Sequence, residues 1–311
     1  MQLLQGLEQL ADVARPSAVT IGKFDGIHLG HQKLLQATTD AAAQGGMQSV
    51  AITFDRHPDA LFHPERAKLP LIGPNQKARL IGESGIDTLL TLAFDQSLAA
   101  LNPRDFVQQI LVSGLNVKCL VVGEDFRFGS GGAGDTGLLA QLGSEFGFEL
   151  LVIPPVEIDG QKVSSSRIRE LLDQGDVATA ARLLGRAHQT TGIIEHGLKL
   201  GRQLGFPTAN MARDAEGYLP VDGVYAGWLY SDGVRYEAAL SVGINETIQA
   251  VPRLIEAHVL DRNDLDLYDK VVTLEYVGYL RPALKFDGLE TLIAAIKKDC
   301  DEIREILRIL K

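Results

Sequence analysis

Cysteine is nearly missing from this sequence of 311 residues: Cys119 and Cys300 stand far apart and outside any CxxC pattern. That removes support for a disulfide framework or a structural zinc site and fits a reducing, cytoplasmic setting. Nowhere do about 18 consecutive apolar residues occur, so a membrane-spanning helix is not expected. Residues 1–16 carry Glu8 and Asp12 and lack the apolar core of a signal peptide, which speaks against export. Positive charge is scarce as well, with 30 Lys and Arg against 40 Asp and Glu and a formal charge of −10. Such a balance repels a polyanionic backbone, which argues against a nucleic-acid partner and means that any phosphate site must be built locally. Low-complexity tracts and internal repeats are also missing. The sequence carries no signal that sets an oligomeric state.

What is present suits two domains, because a single core stops growing at roughly 250 to 300 residues. In the first half, short apolar β-type runs alternate with helical stretches: Ala18–Ile21, Ser49–Phe54, Thr88–Leu92, Cys119–Val122 and Glu149–Ile153. Alternation of this kind predicts a parallel α/β sheet. Between the first two runs, Gln32–Gln44 reads as a helix, so the first strand enters it through residues 22–31. Past Leu184-Gly185-Arg186, β-branched and aromatic runs recur between Gly, Asp and Asn, as in 223–230 and 270–280, and predict an antiparallel barrel. Leu289, Leu292, Ile293, Ile296, Ile303, Ile306, Leu307 and Leu310 then follow three-and-four spacing and predict a packed terminal helix. The fold class expected is an N-terminal α/β domain, residues 1–186, followed by a C-terminal antiparallel β-barrel with a terminal helix, residues 187–311.

Chemistry concentrates where a strand feeds a helix. Gly22-Lys-Phe-Asp-Gly-Ile-His-Leu-Gly-His31 holds three glycines and two histidines in ten residues. In open α/β sheets, ligands gather at the carboxyl ends of strands, where helix N-termini offer N–H groups and a positive dipole end. His28 and His31 can donate to phosphate oxygens there, and the stretch reads as a triphosphate site; two histidines at this spacing also bind zinc or cap a helix. Val163-Ser-Ser-Ser-Arg-Ile-Arg169 sets hydroxyls and cations ahead of a helical run, either as a plain cap or as a clamp for leaving pyrophosphate. Val122-Gly-Glu-Asp-Phe-Arg-Phe-Gly129 closes a strand with Asp125, Phe126 and Arg127, a combination that also suits a turn with a surface ion pair.

The second half carries its own constellation. Gly197 to Asn210 gathers glycines, among them Gly201 and Gly205, and basic groups ahead of Pro207-Thr208-Ala209-Asn210. Glycine-rich loops cradle phosphates, and Thr208 and Asn210 oxygens suit magnesium bound to ATP, although the spacing is not that of a Walker loop and a bare barrel turn reads similarly. Downstream, Arg253-Leu-Ile-Glu-Ala-His258 reads as a strand with Glu256 and His258 on one face. Glu256 is a candidate base.

These segments resemble the bacterial bifunctional riboflavin kinase/FAD synthetases along roughly residues 15–310. Gly22–His31, Gly123–Gly129 and Ser164–Arg169 look like the three signature segments of the nucleotidyltransferase module. The resemblance implies that Gly22, Phe24, Asp25, Gly26, His28 and His31 surround the ATP phosphates, that Asp125, Phe126 and Arg127 lie beside nucleotide and flavin, and that Ser165, Ser166 and Arg169 grip phosphate. Pro207–Asn210 looks like the hallmark of the riboflavin kinase module. That resemblance implies ATP and Mg2+ at Thr208 and Asn210, proton abstraction by Glu256, and flavin contacts around Arg281, Lys285, Phe286 and Asp299, which are otherwise a solvated helix face. Riboflavin, FMN and ATP are the implied substrates. One departure is Glu246-Thr247-Ile248, where the family usually shows a Pro-Thr-aromatic turn. A single working module, or a flavin-binding regulator without turnover, are the competing readings.

Overall fold

Five of the six strands of the first sheet are apolar runs, and the two central ones are buried along almost their whole length. The structure is a computed structural model that describes residues 1–310 except 13–15, 57–60, 64, 66, 67, 197–200, 202, 203 and 244–252. Strands β1 (Gln2–Gln5), β2 (Ser17–Ile21), β3 (Gln48–Phe54), β4 (Thr88–Leu92), β5 (Val117–Gly123) and β6 (Glu149–Ile153) form one sheet in the order β1-β4-β3-β2-β5-β6. Every pair in it is parallel. All of β2 and the middle of β3 are buried, as a parallel sheet covered on both faces requires. The chain runs from β2 outward through β3 and β4, then crosses to β5 on the other side of β2. Strand order therefore reverses between β2 and β5, the place where α/β sheets open a crevice for ligands.

Helix α1 (Leu29–Gly45) starts three residues before the stretch expected from sequence, because His28 serves as its N-cap. It is followed by α2 (Pro74–Glu83) and α3 (Thr136–Phe146). Strand β1 escaped the sequence reading: of its four residues Gln-Leu-Leu-Gln only Leu4 is buried, so the edge carries almost no apolar signal.

The described chain divides into two compact units, Met1–Leu69 with Pro74–Val163, and Pro70–Gly73 with Ser164–Lys311. Helices α4 (Ser165–Asp173) and α5 (Val177–Leu184) fall in the second unit. There the Tyr218 hydroxyl donates to Asp173 at 2.8 Å, and the Val221 amide donates to the Leu172 carbonyl at 2.9 Å.

The rest of the second unit is a closed antiparallel barrel, as expected. Its strands are β7 (His188–Glu195), β8 (Ala209–Met211), β9 (Gly223–Ser231), β10 (Val234–Gly243), β11 (Leu254–Val259) and β12 (Val271–Pro282), closed in the order β8-β11-β10-β9-β12-β7. Tyr225, Leu229, Leu240, Ile255, Leu274 and Tyr276 are buried in it, while Ala226 and Trp228 turn outward beneath α6 (Leu289–Ile309). Cys300, Ile303 and Leu307 of α6 complete that contact. Burial of the two aliphatic side chains is worth roughly 1.5–3 kcal/mol each. The spacing placed the helix correctly, but Leu289 and Leu310 at its ends stay exposed.

Candidate active sites

In the first unit, two of the motif segments leave the carboxyl ends of the two strands that flank the reversal of strand order. The turn 22–28 follows β2 and is tightly wound. Phe24 and Ile27 both hold positive φ, 48° and 43°, at a cost of roughly 1–2 kcal/mol each for residues with a Cβ. Gly26 at φ 82° takes the same region without that cost. Strain of this kind persists only where packing fixes it, and Phe24 and Ile27 are fully buried.

The two histidines come together as the motif predicts. Their rings stack with centroids 3.7 Å apart and planes 17° apart, and Phe24 meets the His31 ring edge-on at 5.4 Å. His28 Nδ1 accepts from the His31 amide at 3.4 Å, which leaves the proton of a neutral His28 on Nε2. His31 Nδ1 is buried with no hydrogen-bond partner among the described residues. Burial, the adjacent His28 and the Lys77 ammonium together hold the His31 pKa well below its usual value, so the ring is neutral near pH 7. A capping histidine alone would explain His28; the orphaned nitrogen of His31 asks for a ligand atom.

Lys77, from α2, was invisible to the sequence reading. Its ammonium donates to the Lys23 carbonyl at 2.9 Å and reaches Thr53 Oγ1 at 3.5 Å. Burial lowers its pKa and Asp25 opposes that shift.

Beyond β5, Asp125 and Arg127 do not pair with each other. Lys162 holds Asp125 and pulls its carboxyl below the usual range, while Arg127 lies 3.3 Å from Asp135, the N-cap of α3. Phe126 stacks over Phe128 with ring centroids 5.9 Å apart. In the second unit Ser164 caps α4 by accepting from the Arg167 amide at 3.2 Å, so the capping reading of that hydroxyl holds. Ser165, Ser166 and Arg169 occupy the first turns of α4, where helix N–H groups face outward.

The barrel carries the second constellation. Ladder register sets Asn210 of β8 directly opposite Glu256 of β11 on one side and Glu195 of β7 on the other, with Ser241 of β10 opposite Glu256. Opposed residues share a face, so four polar side chains form a row across four strands while Ile255 and Ala257 point into the core. Glu195 was not singled out from sequence. Burial raises the Glu256 pKa, as a carboxylate meant to accept a proton requires. His258 donates from Nδ1 to the Pro207 carbonyl at 2.8 Å and fixes the approach to Thr208.

A Cβ on Gly201 would sit 2.4 Å from the Phe206 carbonyl oxygen and 3.1 Å from Thr208 Oγ1, so only glycine lets the loop close over that threonine. Gly205 holds φ 87°. A cavity of about 50 Å³ opens beside Pro207, Thr208, Ala257 and Arg262. Residues 197–200, 202 and 203 of the glycine-rich loop, and the departure at Glu246-Thr247-Ile248, lie outside the described residues.

Arg281 and Asp299 are joined rather than solvated. The guanidinium donates from Nε and Nη2 to the two carboxylate oxygens at 2.9 and 2.7 Å and lies 5.7 Å from the Phe286 ring centre. The fork ties the end of β12 to α6, so Asp299 acts first as a clasp.

Comparison with known proteins matches the FAD synthetase family to residues 10–167 and the riboflavin kinase family to residues 184–307. A bifunctional riboflavin kinase/FMN adenylyltransferase from Pseudomonas fluorescens is 38% identical over 98% of each chain, and one from Escherichia coli K12 is 34% identical over 100% of this chain and 99% of its own. A crystal structure described as a macrolide-efflux protein from Streptococcus pneumoniae has a TM-score of 0.87 at 31% identity, covering 98% of this chain and 99% of that one. That description names a transport role; among the described residues no helix is long and apolar enough to cross a membrane.

Proposed function

The chain belongs to the bifunctional riboflavin kinase/FMN adenylyltransferase family, and from that membership we propose how its residues divide the two reactions. The enzyme phosphorylates riboflavin to FMN with ATP and transfers AMP from a second ATP to FMN, giving FAD and pyrophosphate. The functional domains divide near residue 186, and the work is cytoplasmic, in keeping with two free, buried cysteines.

Phosphorylation belongs to the barrel. The ribityl 5′-hydroxyl is a poor nucleophile until a base takes its proton; Glu256 accepts it while the oxygen attacks the γ-phosphorus and ADP leaves. The observation that carries this reading is the register that sets a raised-pKa carboxylate opposite Asn210, two residues after Thr208. Thr208 and Asn210 offer neutral oxygens, and no group of three or more His, Cys, Asp or Glu suited to a metal occurs among the described residues. That donor set fits a divalent ion held chiefly by ATP phosphates, and Mg2+ is the ion proposed. When bound, it neutralises charge on the transferring phosphoryl group. Arg281 and Phe286 flank the flavin.

Adenylyl transfer needs no strong base, because the attacking FMN phosphate is already anionic. His28 and His31 donate to the ATP phosphates, the backbone from Gly22 to Gly26 with Phe24 and Asp25 shapes their bed, and Asp125, Phe126 and Arg127 border nucleotide and flavin. For Ser165, Ser166 and Arg169 the support is the motif itself, hydroxyls and a cation at a helix start.

Saturation binding of a nonhydrolysable ATP analogue with Mg2+ is expected to give two nucleotides per chain. One or none would defeat this division.

A further inference from the structure

Lys77 lies outside every segment that the motifs single out, yet it converges on the imidazole site from a separate helix. The Lys23 carbonyl accepts two bonds, from Lys77 Nζ at 2.9 Å and from Thr53 Oγ1 at 3.3 Å. The peptide it belongs to leads into Phe24, whose φ is 48°. Helix α2 and strand β3 thus grip one peptide group, and that grip sets the turn from Phe24 to His28 and the ring stack behind it. A half-buried ammonium is a costly means of holding a carbonyl, since a neutral donor does the same with less desolvation. Its charge has a further target: Asp25 faces it from the turn, and His31, with His28 stacked behind, faces it from α1.

We propose that Lys77 is a positioning residue for adenylyl transfer: it pins the Lys23 peptide so that His28 and His31 meet the ATP phosphates. This role rests on the adenylyltransferase reading above. Thr53 supplies the second, uncharged half of the grip.

The test uses the full chain with FMN, ATP and Mg2+. Lys77→Met keeps the stem and removes charge and donors; it is expected to lower kcat/KM for ATP by on the order of 10²-fold, the usual cost of a misplaced reacting group. Lys77→Arg is expected to recover most of that loss, and Thr53→Val to show a smaller loss in the same direction. Riboflavin phosphorylation by the same preparations should be unchanged, and their circular dichroism and thermal unfolding should match those of the unmutated protein, which verifies that the unit holding Lys77 is folded. A packing role alone would be met by Lys77→Met, whose stem fills the same space, so impairment of Lys77→Met with rescue by Lys77→Arg marks the hydrogen bond to the Lys23 carbonyl. Undiminished FAD formation by Lys77→Met, or a loss in Lys77→Arg as large as that in Lys77→Met, overturns the proposal. Absence of FAD from the unmutated protein would instead overturn the adenylyltransferase reading itself.

Discussion

Glu256→Gln is expected to abolish conversion of riboflavin to FMN while the same protein still turns supplied FMN into FAD. Loss of a general base costs typically 10²–10⁴-fold, and only the hydroxyl nucleophile needs one. Parallel assays of the two half-reactions check this, and loss of both in a folded variant would contradict it. The pH dependence has a definite sign. Burial raises the folded pKa of Glu256, so the folded state favours the protonated form. That favourable contribution is complete below the unfolded pKa and is lost as pH rises through the folded one. At pH 7 the charged carboxylate is therefore a liability, and Glu256→Gln should be no less stable than the unmutated protein, with any gain shrinking in acid. Kinase activity runs the other way: it requires the ionised form and should fall on the acid side at a midpoint above the ordinary glutamate range.

The complementary loss is expected from His31→Ala. Removing one donor preorganised for developing charge typically costs 10²–10³-fold, here in AMP transfer, while riboflavin is still phosphorylated and FMN accumulates. His31 is singled out over His28 because its Nδ1 is buried without a partner among the described residues, whereas His28 also caps α1. His28→Ala should therefore lower stability as well as rate. Equal retention of both half-reactions in His31→Ala would remove the imidazole from the chemistry.

The sequence discloses those groups whose chemistry depends on neighbours close along the chain. His28 and His31 lie within one turn of helix, Thr208 and Asn210 are two residues apart, and alternation in β11 already put Glu256 and His258 on one face. The barrel, the parallel sheet and the terminal helix were legible for the same reason, since period and composition are local. What stayed hidden depends on contacts formed only by folding. Lys77 sits on an amphipathic helix as one more charged residue, and nothing near it in sequence says that its ammonium ends on Lys23. Asp125 finds Lys162 rather than the nearby Arg127. Glu195 joins the polar row only through β-ladder register. Asp299 looked like helix surface because its partner Arg281 lies across a strand-helix junction. The edge strand β1 was hidden because its residues are mostly exposed.

Both reactions are expected to occur in order on one polypeptide. Riboflavin, FMN and FAD should be followed by chromatography in a single mixture of the purified protein, ATP and Mg2+. FMN is expected to rise first and FAD after it, with two ATP consumed per FAD, one leaving ADP and the other leaving pyrophosphate. A reaction that stops at FMN, or riboflavin that remains unchanged while FMN is still accepted, would contradict it.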